Sequence, residues 1–223
     1  MFIPLSEISF SSMDSVSGVG VIDKGVLILR ALARAPLDLA GLQEATELPR
    51  ATAHRLAVAL EQHGLLRRDP QGRFCLGFEL IRLGQAAEDQ FPLAELTRPM
   101  LTALRDETGE SVQLYVADGE GRRCVVSLES THGLRWIVPQ GALFPLDRGS
   151  AGRVLQGDDL AESVEEREPG VASVSAAVRD RRGRIVAAVS LSGPVERLSR
   201  QPGQKFGRRV SEAADAVTSA LGR

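Results

Sequence analysis

The stretch LPRATAHRLAVALEQHGLLRRDPQGRF, residues 48–74, constrains this chain more than any other. It joins an alanine-rich helical pattern to a tight turn with arginines on both sides. Ala53, Leu56, Ala57 and Leu60 recur at i, i+3, i+4 and i+7, so one stripe of a helix is buried. At 100° per residue the opposite side carries Ala51, Arg55, Val58 and Gln62, with His54 on its flank. Pro49 suits the first helical position, and His63-Gly64 is a C-terminal stop signal. Asp69-Pro70-Gln71-Gly72 then has the chemistry of a type I turn, with Asp first, Pro second and Gly fourth. The flanking residues Leu65–Arg68 and Arg73–Leu76 alternate well enough for a two-stranded ribbon.

Two further helices precede this unit. In VIDKGVLILRALAR, the spacing turns Val21, Leu27, Ile28 and Leu32 to one side, and Pro36 ends the run. Asp38 is an N-cap for LAGLQEAT, with Leu39 and Leu42 facing inward. Three helices and a ribbon make a winged helix-turn-helix. Between residues 48 and 73 there are five Arg against Glu61 and Asp69, a local balance of +3, whereas residues 14–89 carry nine basic and ten acidic side chains. The whole chain has a net charge of −2, so the positive charge is gathered on one helix and its wing. That pattern fits a helix tip in a DNA major groove with wing arginines on phosphates. The expected base-reading residues are Arg50, Ala51, Thr52, His54 and Arg55, and Arg67, Arg68 and Arg73 position the wing. Helix–helix–hairpin modules also serve protein–protein contacts, but small residues backed by arginine suit close groove approach better.

GFELIRLGQAAED reads as a linker helix with Leu80, Leu83 and Ala87 on one side, and FPLAELTRPMLTALRDETGE as another helix ended by Gly109. From Ser111 the period changes to two. SVQLYVADGEGRRCVVSLES predicts a hairpin around Asp118–Gly121, VASVSAAVRD and RIVAAVSLSGP pair around Arg182-Gly183, and a last helix covers about 203–221. Strands with helices on one side give an α+β second domain able to hold a small ligand. The domain expectation is a flexible N-terminal tail (1–16), a DNA-binding domain (17–77), a linker helix (78–90) and a ligand-binding domain (91–223). Met13 stands in frame as an alternative start.

Several classes are disfavoured. No apolar run approaches the roughly 18 residues of a membrane span, and the N-terminus lacks a basic signal-peptide region. Cys75 and Cys124 are two reduced thiols in a cytoplasmic reading, with no zinc spacing. No nucleophile elbow, P-loop or HExxH is present, GVGVIDKG has the wrong glycine spacing for a dinucleotide site, and His54, His63 and His132 are scattered. No catalytic, metal or cofactor residues are assigned, which leaves an enzyme with an incidental helix-turn-helix as a distant alternative.

The stretches GVGVIDKGVLILRAL, LPRATAHRLAVALEQHGLLRRDPQGRFCLG, LRDETGESVQLYV, GSAG, EREPGVASVSAAV and VAAVSLSGP together resemble the IclR family of bacterial transcriptional regulators. The wording is close to an actinobacterial branch linked to leucine and related amino-acid biosynthesis. The resemblance implies a winged helix-turn-helix, a linker helix and a GAF-like effector domain. It also implies a homodimer or dimer of dimers on a pseudo-palindromic operator, and a small metabolite, often an organic acid, that alters operator affinity. The family's ligand contacts fall here on Ser150 and Ala151 at the GSAG helix start, and on Ser163, Ser173, Ser190 and Ser192. A helix N-terminus offers free N–H groups and serines add hydroxyls. Between GSAG and EREPGVAS only RVLQGDDLAESVE stands where the family carries several tens of residues, so either the sensor is shortened or a mobile stretch is left out of this sequence. A constitutive DNA binder with a vestigial sensor is the corresponding alternative.

Overall fold

The structure is a computed structural model that describes residues 17, 19–89 and 92–221. The expected tail, residues 1–16, lies outside the described residues. The chain forms two compact units, divided between residues 90 and 91.

The first unit runs α1 (Gly20–Leu32), α2 (Leu39–Thr46), α3 (Arg50–Gln62), β1 (Leu66–Arg68), β2 (Phe74–Leu76) and α4 (Glu79–Asp89). Asp38 caps α2, its Oδ1 accepting the Gly41 N–H at 2.8 Å. Glu47, at φ 56°, ends α2 in the left-handed conformation and turns the chain toward α3. Pro49 is the N-cap of α3 rather than its first residue, because its ψ of 140° is extended and helical geometry begins one residue later. β1 and β2 pair antiparallel. Leu37 adds a bridge to Phe74, with N–H to carbonyl distances of 3.0 and 2.8 Å in the two directions. The ribbon folds back on α3 at two glycines: a Cβ on Gly77 would lie 2.0 Å from the Gly64 carbonyl oxygen, so only hydrogen fits. Ile28, Leu32, Leu42, Leu48, Ala53, Leu56, Ala57, Leu66 and Phe74 form one buried cluster.

Two expectations change here. Val21 is 59% exposed, because the part of α1 that packs inward begins at Gly25 and runs through Ile28, Ala31 and Leu32. On α4, Leu83 is 44% exposed and Ala87 is exposed, so the apolar side expected there is not covered within this unit.

The second unit contains α5 (Pro92–Thr108), β3 (Ser111–Asp118), β4 (Gly121–Leu128), β5 (Leu143–Pro145), α6 (Ser150–Gln156), β6 (Leu160–Val164), β7 (Val171–Arg179), β8 (Ile185–Pro194), α7 (Val195–Leu198) and α8 (Pro202–Leu221). The strands form one sheet in the order β5-β4-β3-β8-β7-β6, with antiparallel neighbours throughout. Period-two alternation gives this sheet two apolar faces. On one, Val112, Leu114, Val126, Val174, Val189 and Leu191 pack with Leu101 and Leu104 of α5 and Phe206, Val210 and Val217 of α8. Each fully buried leucine there contributes about 1.5–3 kcal/mol through burial. On the other, Tyr115, Cys124 and Ala188 pack with Trp136, Val138 and the α6 residues Ala151 and Val154.

Helices therefore cover both faces, not the single face expected from sequence, because α6 lies opposite α5 and α8. The stretch expected to be a shortened remnant is folded: RVLQ completes α6 and LAESV is β6, whose Ser163 pairs with Ser173 of β7. β5 and α7 also went unread, being only 3 and 4 residues long. One distortion sets the facing of β4. In the β3–β4 pair Leu114 faces Val126 but Tyr115 faces Cys124, so Val125 is an extra, bulged residue.

Candidate functional site

In the first unit, the start of α3 presents Arg50, Ala51, His54 and Arg55 to solvent, with Thr52 half-buried. Arg50 reaches back to Gln43, Nη1 donating to Oε1 at 3.4 Å. The wing is ordered by Asp69, whose Oδ1 accepts the N–H groups of Gln71 (3.0 Å) and Arg73 (2.9 Å). Its carbonyl closes the turn on the Gly72 N–H at 2.9 Å. Burial alone would raise the Asp69 carboxyl, but the backbone and guanidinium of Arg73, helped by Gln71, hold it below the usual carboxylate range.

The eight residues expected to meet DNA do not carry equal free charge. Arg73 pairs with Asp69 at 2.7 Å and Arg68 with Glu61 at 3.3 Å. Arg68 also donates to the Gly72 carbonyl at 2.9 Å and lies 4.0 Å over the Phe74 ring. The acids counted against the local surplus are thus bound to these two arginines, and Arg50, Arg55 and Arg67 are the exposed cations of this surface that form no ion pair among the described residues. Arg67 rests 5.2 Å from the centroid of Phe78. All five guanidiniums remain on exposed residues.

In the second unit, Ser150, Ala151, Ser163, Ser173, Ser190 and Ser192 line one cavity. Sheet register gathers them: Ser163 pairs with Ser173, Ser173 with Ser192, and Ser175 with Ser190 across adjacent strands. Ser150 Oγ lies 2.7 Å from both Ser173 Oγ and Ser175 Oγ, joining α6 to the sheet. Ser192 Oγ donates to Gln113 Oε1 at 2.8 Å. The start of α6 is less open than its sequence implies, since Glu166 Oε2 already accepts the Gly149 N–H at 3.0 Å and Arg153 holds the same carboxylate at 2.9 Å. The free space is about 20 Å³, room for roughly one water.

Sequence reading missed the cavity's charged and aromatic wall, which comprises Arg122, Arg167, Tyr115 and Trp136. Arg122 stands in GRRC, where alternation ties it to Cys124 but says nothing of which face both occupy. Trp136 and Arg167 lie in connections that carry no periodic signal. Burial pushes the Tyr115 hydroxyl and the Cys124 thiol up to about 12, and draws Arg122 down to about 10. At neutral pH the tyrosine and the thiol are therefore neutral and the guanidinium still charged.

Comparison with known proteins gives a consistent result. The family model described as IclR helix-turn-helix domain matches residues 21–70. The one described as bacterial transcriptional regulator IclR C-terminal matches residues 85–158 and 156–219. The two segments overlap at residues 156–158. The chain is similar to the transcriptional repressor IclR of Escherichia coli (strain K12), at 24% identity over 243 residues, covering 89% of each chain. It is similar to the glycerol operon regulatory protein of Streptomyces coelicolor at 28% identity, covering 90% of this chain and 96% of that one. Both alignments exceed the chain's 223 residues, so the relatives hold positions that are missing here. Among solved structures, an IclR homolog from Microbacterium hydrocarbonoxydans complexed with 4-hydroxybenzoate matches with a TM-score of 0.74 at 17% identity, covering 90% of this chain and 98% of that one.

Proposed function

Because this chain belongs to the IclR family of bacterial transcriptional regulators, which are DNA-binding proteins and not enzymes, we propose that it is a regulator whose operator affinity is set by a small metabolite. The observation that carries the reading is the tip of α3, where exposed Arg50 and Arg55 flank small residues with no acid paired to them among the described residues. In this reading Arg50, Ala51, Thr52, His54 and Arg55 meet base edges. Arg67 meets phosphate, while Arg68 and Arg73 hold the wing in shape and add field.

The ligand site is the serine-lined cavity, with Ser150, Ala151, Ser163, Ser173, Ser190 and Ser192 as contacts. The complex of the related homolog with 4-hydroxybenzoate supports an organic acid as ligand. A metabolite that binds one arrangement of the two units better than another shifts the equilibrium between strong and weak operator binding. Exposed Val21 and Ile22 on α1, and Phe78, Ile81 and Leu83 at α4, support assembly as a homodimer or dimer of dimers on a pseudo-palindromic site. We place the protein in the cytoplasm and its targets among amino-acid (leucine-type) biosynthesis genes, the latter on sequence resemblance alone. The domains follow as residues 17–77, 78–90 and 91–223, after a tail of residues 1–16.

A gel shift with the DNA upstream of the protein's own gene, with and without amino acids and 2-oxo acids, tests this. A metabolite-dependent shift is expected, and no shift on any upstream fragment rejects the regulator. The small cavity and the missing stretch favour a second reading, a constitutive binder with a vestigial sensor. In that case the DNA shifts but no metabolite changes it.

A further inference from the structure

The cavity wall carries two cations, and the carboxylate that borders it, Glu166, is already held by Arg153 and the Gly149 N–H. Arg122 is 1% exposed and forms no ion pair among the described residues. Its Nη1 donates to the Pro145 carbonyl, while its buried Nε has no partner. The Nε–Nη2 edge of a guanidinium is the one that grips a carboxylate through two parallel hydrogen bonds. Arg167 is the second cation. Its Cζ lies 4.1 Å from the Phe144 ring centroid, and that of Arg122 lies 5.7 Å from the same point. Two glycines border this pair closely. A Cβ on Gly152 would come within 2.9 Å of Arg122 Nη1, and one on Gly149 within 3.2 Å of both Arg122 Nη2 and Arg167 Cδ. A second orphan donor, Gln113 Nε2, belongs to the same face of β3 as Tyr115 by alternation.

An unsatisfied buried donor is destabilising, the more so when it is charged. Folding has kept two such donors and two neighbouring cations beside one small cavity. Asp147 acts on Arg122 only through its field, so a monoanion bound to one guanidinium leaves the other without a bound carboxylate. We propose that the cavity binds a small dicarboxylate, one carboxylate on the Nε–Nη2 edge of Arg122 and the other on Arg167 at the rim. This deepens the effector reading above and rests on it. Since the cavity now holds little more than a water, binding displaces the half-buried Arg167 outward before it closes on the second carboxylate. Burial draws the Arg122 pKa down to about 10, and the Arg167 charge adds to that effect; a bound dianion reverses both.

The test is isothermal titration calorimetry of the full chain, without DNA, against malonate, succinate, butyrate and succinamide. Malonate or succinate is expected to bind about 10-fold or more tighter than butyrate, with no heat from succinamide. Arg122→Lys keeps the charge but loses the two-bond edge, and weakens dicarboxylate binding by about 10- to 100-fold. Arg167→Gln brings succinate down to the level of butyrate. If circular dichroism finds the Arg122 variant misfolded, the Arg167 variant decides alone. Butyrate equal to succinate, heat from succinamide, no heat from either dicarboxylate, or unchanged binding in Arg167→Gln overturns the proposal. With no DNA in the cell, its failure and a failure of operator binding are read separately.

Discussion

Arg55→Ala separates base reading from general attraction to DNA. The side chain is exposed and forms no ion pair among the described residues, so truncation removes no internal contact and stability stays within about 0.5 kcal/mol of wild type. A bidentate arginine–guanine contact is worth about 1–3 kcal/mol of discrimination. At 1.4 kcal/mol per factor of ten, the operator dissociation constant rises by about 5- to 150-fold. Random duplex loses only the attraction of one cation. Arg67→Ala is the control, because that guanidinium also lacks an acid partner among the described residues while the wing's own hydrogen bonds run through Asp69, Arg68 and Arg73. It weakens operator and random DNA together, and lowers the slope of log K against log salt by about 0.9 for one lost phosphate contact. Fluorescence anisotropy on both duplexes across about 50–200 mM salt measures each quantity. Equal losses on operator and random DNA for Arg55→Ala would refute its assignment to a base edge.

Packing sets three further outcomes. Arg197 donates to Glu110 at 2.6 and 2.9 Å, and the Glu110 side chain is 3% exposed, so Arg197→Ala strands a buried carboxylate. Urea unfolding should register a loss near 3 kcal/mol, the low end for a broken buried pair because Arg197 is partly hydrated; a loss below about 0.5 kcal/mol would place the pair with ordinary surface bridges. Gly152→Ala puts a methyl 2.1 Å from the Leu146 carbonyl oxygen, and overpacking of this kind lowers stability by about 1–3 kcal/mol, which thermal melting detects. Cys124 is 0% exposed with its thiol pushed up to about 12, so a disulfide reagent at neutral pH leaves it unlabelled until the protein unfolds. Labelling of native protein at that residue contradicts the buried setting.

The DNA-facing half was legible because its signals are local. Helical spacing at Ala53, Leu56 and Ala57, the Asp38 cap, the Gly64 stop and the Asp69–Gly72 turn each act within a few residues, and each formed where the sequence put it. Less was legible about charge. The local surplus counted Glu61 and Asp69 correctly but could not assign them to Arg68 and Arg73, which is a matter of side-chain reach across the fold.

The sensor half divides in the same way. Alternation found β3, β4, β7 and β8, and family resemblance named six cavity-lining residues, yet Ser150 and Ser192 line one cavity only because sheet register carries the chain back 42 residues later. Arg122 is the sharper case. Strict alternation through GRRCVVSL keeps Arg122 and Cys124 in step with Val126, which packs toward α5 and α8. The bulge at Val125 breaks that step and turns the guanidinium into the cavity. Sequence alone decided the longer helices and strands, since those preferences are set by neighbours along the chain, but not the short β5, β6 and α7. Tertiary structure decided which side chains share a face and which charges stay free, since both depend on hydrogen-bond register between strands far apart in sequence.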